Sequence, residues 1–169
     1  GPPSGAAYPG PANGITFPSL TQPVEGCSAL LPGRHRGEYL AMADNGYGGK
    51  LVSRDFLIRA YYVEPDFKTA RGGTGTVAVG DFISFRDPLR VIGFPIENEA
   101  TTERLLTGYD IDPESMQRGR NGDLWMGDEF GPWILHFDSD GVLLEPPFPV
   151  PGGLRSPNNP FLGVDPATH

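Results

Sequence analysis

Short stretches of alternating or continuous apolar residues, separated by clusters of glycine and proline, run through most of this chain. Phe82-Ile83-Ser84-Phe85 and Trp133-Ile134-Leu135 are two such stretches. Apolar runs this short, bounded by turn residues, predict β-strands rather than helices. The pattern divides into two sets of four strands. The first set is expected at residues 26–31, closed by Pro32-Gly33, then at 38–43, 56–63 and, after Gly72-Gly73, 75–86. The second is expected at 109–117, 123–129, 133–138 and 142–145. Arg120-Asn121-Gly122-Asp123 and Asp138-Ser139-Asp140-Gly141 place Asn-Gly and Asp-Gly at hairpin turns, the strongest short-range signal for a hairpin. Residues 88–102 read as a loop carrying Glu97, Asn98 and Glu99, and a turn over 99–106 is the one helical candidate.

A unit recurs within this pattern. Leu40, Met42 and Asp44 fall in register with Leu124, Met126 and Asp128, and each strand is followed by a glycine-containing reversal and another apolar strand. A repeated β unit of this kind predicts propeller blades. Since propellers have about four to eight four-stranded blades, the 169 residues accommodate two blades and the connection to a third. The expected fold is therefore all-β, part of a β-propeller. A Gly/Pro-rich arm is expected at 1–23, two blades within 24–150 (24–87 and 104–145, with a loop between) and an extended connection at 151–169. Two blades would leave sheet edges and an apolar flank open. The remainder of the same propeller or a neighbouring copy is expected to cover them.

Composition narrows the partners. Thirteen basic against 21 acidic residues leave a formal charge of −8, which disfavours nucleic acid and anionic membrane and favours cations. No apolar run is long enough for a membrane span. Cys27 is the single cysteine, so no intrachain disulfide can form, and its apolar surroundings predict a packed residue. The serine-hydrolase elbow, zinc-spaced Cys/His clusters and the phosphate-cradling Gly-Lys-Ser/Thr loop are all missing.

The candidate chemistry lies in the acids. Alternation along Asp112, Glu114 and Met116 puts the two carboxylates on one strand face. Asp128 and Glu129 end a strand beside Trp125, Phe130 and Trp133, and partly buried carboxylates there require a cation, an arginine or several donors. Asn45 follows Asp44 at the matching strand end, as a turn residue or a ligand. Oxygen donors of these types suit a hard cation such as calcium. His136 reads either as a hydrogen-bonded structural residue or as a catalytic one. Arg104 and Arg155 could hold an anionic substrate group, or pair with Glu99, Glu103 or Asp112.

Several runs carry a resemblance. They are Asn98-Glu99-Ala100-Thr101-Thr102-Glu103-Arg104-Leu105-Leu106-Thr107-Gly108, Asp112-Pro113-Glu114-Ser115, Gly127-Asp128-Glu129-Phe130-Gly131-Pro132 with His136-Phe137-Asp138, and Leu154-Arg155-Ser156-Pro157-Asn158-Asn159-Pro160. Over about residues 26–161 the chain resembles the phytase-like family, labelled esterase-like activity of phytase. The resemblance implies a β-propeller, extracellular or periplasmic, acting on phosphate or carboxylate esters. With the acids above, it leads to a metal-assisted hydrolase. Asn45, Glu114, Asp128 and Glu129 are the expected calcium ligands, Glu114, Asp128 and His136 the expected catalytic residues, and Arg104 and Arg155 the expected holders of a small ester or phosphoester. The other reading is a non-catalytic extracellular propeller with a structural calcium. The rest of the site is expected beyond His169.

Overall fold

The alternation in the chain is realised as two antiparallel four-stranded sheets, in a computed structural model that describes residues 26–46 and 49–162. The first contains β1 (Cys27–Pro32), β2 (Tyr39–Ala43), β3 (Arg59–Asp66) and β4 (Thr76–Ser84), and the second β5 (Pro113–Arg118), β6 (Leu124–Asp128), β7 (Trp133–Phe137) and β8 (Phe148–Pro149). Strands follow one another in sequence order across each sheet. Among the described residues helix is limited to two single 3-10 turns, Lys50–Val52 and Pro160–Leu162. The expected arm at 1–23 and the end of the connection, 163–169, lie outside the described residues.

The repeated apolar positions build the core. Leu40, Met42, Leu124 and Met126 are all buried, and cross-strand pairing sets Met42 beside Ala60 and Met126 between Met116 and Leu135. One apolar cluster joins both sheets. They approach each other through β1 and β5. Three backbone segments close the space between them: Ile58 N donates to Leu106 O, Leu106 N to Phe85 O, and Phe85 N to Ile58 O. The Phe85 ring packs on Phe137 with centroids 4.8 Å apart.

The loop between the sheets is held by a buried ion pair. Arg104 Nη2 lies 3.0 Å from Asp87 Oδ2, while its Nε and Nη1 donate to the carbonyls of Asp87 and Glu99. Asp87 also accepts from the backbone N–H groups of Val91 and Ile92. Each buried charge is thus paired and hydrogen-bonded, the condition for tolerating it. The helical turn expected at 99–106 does not form. Arg104 takes the left-handed region, at φ 47°, and Leu105 and Thr107 make bridges to Arg86 and Leu57 instead.

The second sheet also differs from expectation at its fourth strand, which is residues 148–149 rather than 142–145. Val142 and Leu143 return along the end of β7 but are shared with the first half of the chain: Arg86 N donates to Gly141 O, and Leu143 N to Arg86 O. Leu143 is fully buried, so this segment seals the seam between the sheets. Gly141 permits it, since at φ 82° a Cβ there would lie 2.6 Å from Ser84 O. Cys27, expected to be packed, is exposed at the start of β1.

Phe137 is fully buried against Phe85, so Phe137→Ala removes a ring that the surroundings cannot refill. The expected loss is about 3–5 kcal/mol of stability, read from urea unfolding.

Candidate acidic site

Two β-bulges shape the site. In the second sheet Pro113 pairs with Asp128 and Ser115 with Gly127, leaving Glu114 as the extra residue. In the first, Cys27 pairs with Ala43 and Ala29 with Met42, leaving Ser28 extra. A bulge locally re-aims side chains. Because β1 and β5 are neighbours, the two bulged residues meet, and Ser28 hydrogen-bonds the Glu114 carboxylate.

Asp44, Asp112 and Glu114 converge here, with one carboxylate oxygen of each within 4.8 Å of the others. Asp112 is buried, Asp44 half-buried and Glu114 exposed, so the cluster runs from the interior to solvent. Oδ1 of Asp112 is buried and has no hydrogen-bond partner among the described residues. Burial, followed by the charges of Asp44, Glu129 and Glu114, pushes the Asp112 pKa up to about 9. Glu114 is raised by burial and by the Asp44 and Glu129 charges, against the Ser28 hydrogen bond. Acids crowded this way are stabilised by a cation, and an oxygen-only donor set with an unpartnered buried oxygen fits calcium.

Asp128 is arranged differently from its neighbours. Its Oδ1 accepts the Asp112 backbone N–H and its Oδ2 that of Gly131, each at 2.7 Å. Burial raises its pKa to about 6, with the backbone N–H groups of Asp112, Gly131 and Phe130 and the charge of Lys50 opposing. Both oxygens are therefore committed to holding Asp112 and the 128–131 turn. Glu129 is exposed, and its N–H donates to Asp112 O at 3.0 Å. Asn45 is buried, with its N–H on Asp44 Oδ1 at 2.6 Å. Gly108 makes room for that corner, because a Cβ there would fall 1.9 Å from Asn45 O.

Asp44, which its register with Asp128 leaves as a turn residue or a ligand in the sequence, supplies the carboxylate that meets Asp112 and Glu114. Sequence reasoning missed one participant. Lys50 carried no signal: it comes close to the acids through the 3-10 turn, donates to Tyr109 O and lies over the Tyr109 and Phe130 rings. Burial lowers its pKa, with Asp110 and Asp128 opposing.

The remaining candidates lie apart from the cluster. His136 pairs with Trp125, three rungs from the Asp128 pair. Its Nε2 bonds Asp123 Oδ2 and its Nδ1 bonds Glu145 Oε1, both at 2.7 Å, and Trp125 stacks on it at 3.9 Å. Burial lowers its pKa, but these two carboxylates outweigh that and the net shift is upward. Arg104 is engaged with Asp87. Arg155 lines a separate cleft beside Trp133. A second acidic group, His35, Glu38 and Glu64, has Glu38 already bound by Arg34 at 2.6 Å.

The shifts set a pH dependence. From about pH 4 to about pH 9 the folded chain holds a proton on Asp112 that the unfolded chain, titrating at 3.8, has lost. Stability from this group is present below that window and falls as pH rises through it. Asp128, Glu114, Asp110 and His136 are also raised and act in the same direction. Glu38, lowered to about 2 by Arg34, loses its contribution only in acid, outside the window. In chelator, Tm is expected to be higher at about pH 5.5 than at about pH 8.5, with Asp112→Asn flattening the difference. A slope unchanged in Asp112→Asn would remove this group as its source.

Comparison with curated proteins and with solved structures finds no match. The family model described as phytase-like, esterase-like activity of phytase, matches residues 22–166, which include both sheets and every acid of the cluster. The chain belongs to the phytase-like family.

Proposed function

We propose that this chain is a metal-assisted hydrolase of small phosphate or carboxylate esters, built as part of an exported β-propeller. The observation that carries the reading is the buried, unpartnered Oδ1 of Asp112 within the Asp44, Asp112 and Glu114 cluster. Asp44 and Asp112 would hold a calcium ion, with Glu129 and Asn45 at the margin. Such an ion supplies polarisation of a carbonyl or phosphoryl oxygen. Glu114, the exposed member, takes the proton from the attacking water, a role suited to a carboxylate whose pKa is raised. Asp128 positions Asp112 through its backbone N–H. His136, with both ring nitrogens on carboxylates, contributes by clamping the second sheet. The extracellular or periplasmic location follows the family expectation. No helix among the described residues is long and apolar enough to cross a membrane.

A second reading, a non-catalytic propeller for binding or assembly, is favoured by one feature. Leu30, Val77, Val79 and Phe82 are exposed large apolar residues on the first sheet, as expected of a face that meets the rest of a propeller or a second copy.

Calcium titration with thermal unfolding, combined with turnover of 4-nitrophenyl acetate and 4-nitrophenyl phosphate, tests the proposal. Calcium is expected to raise Tm, and Asp112→Asn to abolish that rise. Glu114→Gln is expected to lower kcat by about 10²–10⁴-fold while the protein stays folded. Stabilisation by calcium without turnover of either ester would leave the second reading.

A further inference from the structure

A cleft of about 250 Å³ opens beside the turn that follows Asp128, with walls that include Pro132, Trp133, Pro149, Leu154, Arg155 and Phe161. Its floor is rigidly built. Trp133 is buried and stacks on Phe94 with centroids 4.5 Å apart and planes 14° from parallel. Phe161 meets both rings edge-on, at 5.7 and 6.3 Å. Asn159 fixes the wall by donating to Gly131 O and accepting from Phe161 N. These bonds use both ends of its amide, so it shapes the cleft and leaves recognition to other groups.

Two features point to an occupant. Leu154 and Phe161 are 63% and 59% exposed at the cleft, large apolar surfaces beside an aromatic floor. Among the described residues Arg155 is the single charged residue in the lining, and it makes no hydrogen bond or ion pair. Among the described residues, no carboxylate lines the cleft to repel an anion. Size sets the scale of the ligand: an apolar cavity of about 150 Å³ accepts benzene, so this cleft has room for one ring and one charged substituent.

We propose that the cleft binds small aryl anions, an aromatic ring carrying a phosphate or carboxylate, with the ring against Trp133 and Phe161 and the anion on the Arg155 guanidinium. Arginine suits both head groups because its planar donors meet either one bidentately. The cleft shares one structural element with the acidic cluster. Asp128 holds the Gly131 N–H of the cleft wall with one oxygen and the Asp112 N–H with the other. Binding in the cleft nevertheless requires neither a metal ion nor hydrolysis, and it stands independently of the proposed activity.

The test is calorimetric or NMR titration of the full chain in EDTA with phenyl phosphate and benzoate, against benzyl alcohol and inorganic phosphate. For ligands of this size a dissociation constant on the order of 1 mM is expected for the aryl anions. Benzyl alcohol and inorganic phosphate are each expected to bind at least about tenfold more weakly, since each lacks one of the two contacts. Arg155→Gln and Phe161→Ala, both at exposed positions, are expected to weaken phenyl phosphate about tenfold. Asp44→Asn, which alters the acidic cluster alone, should leave this binding unchanged. Equal affinity in wild type and Arg155→Gln, loss of binding in Asp44→Asn, or equal binding of benzyl alcohol would overturn the proposal. Retained cleft binding in a chain that hydrolyses no ester would reject the activity and keep the cleft.

Discussion

The carboxylate of Asp128 is the tie on which the functional end of this molecule depends. One of its oxygens holds the backbone of Asp112 and the other the backbone of Gly131. It thereby fixes the deepest acid of the cluster and the turn beside the aromatic cleft. Hydrogen bonds to charged groups contribute roughly 1.5–3 kcal/mol each, and a buried N–H left without its acceptor costs about 1–3 kcal/mol. Loss of this one side chain would strand two such donors at once. The burial that raises its pKa is opposed in part by three backbone N–H groups and by Lys50.

The acid cluster shows the opposite balance. Asp44, Asp112 and Glu114 face one another, and each charge opposes ionisation of Asp112. A chain gathers like charges at a cost in stability, and such perturbed groups concentrate where ligands or chemistry are handled. The contrast with Arg104 and Asp87 is direct. There, a cation and an anion are buried together with their hydrogen bonds satisfied, and the pair holds a loop. Two buried carboxylates, Asp87 and Asp112, thus have different roles because one has a guanidinium partner and the other has acids around it.

Membership in the phytase-like family and the all-β fold agree with this division between scaffold and site. Fold alone does not determine activity, since one scaffold hosts many chemistries. In this chain the chemistry resides in residues brought together by the close approach of β1 and β5, and by the bulges that re-aim Ser28 and Glu114.

Much of the scaffold was legible along the chain. Leu40, Met42, Leu124 and Met126 announced the two inner hairpins through their period, because burial of one strand face selects alternate positions. Asn121-Gly122 and Asp140-Gly141 announced turns, and both glycines take positive φ. What stayed hidden depends on pairing between distant segments. A bulge exists only relative to its partner strand, so the extra residue at Glu114 could not be read from the sequence of β5. The same holds for the 142–145 segment, whose alternation fits a strand but whose hydrogen bonds are shared with Arg86. Local pattern determined which residues form strands and turns. Tertiary structure alone decided which acids meet, because Asp44 and Asp112 are far apart in the chain and are joined only where the two sheets touch.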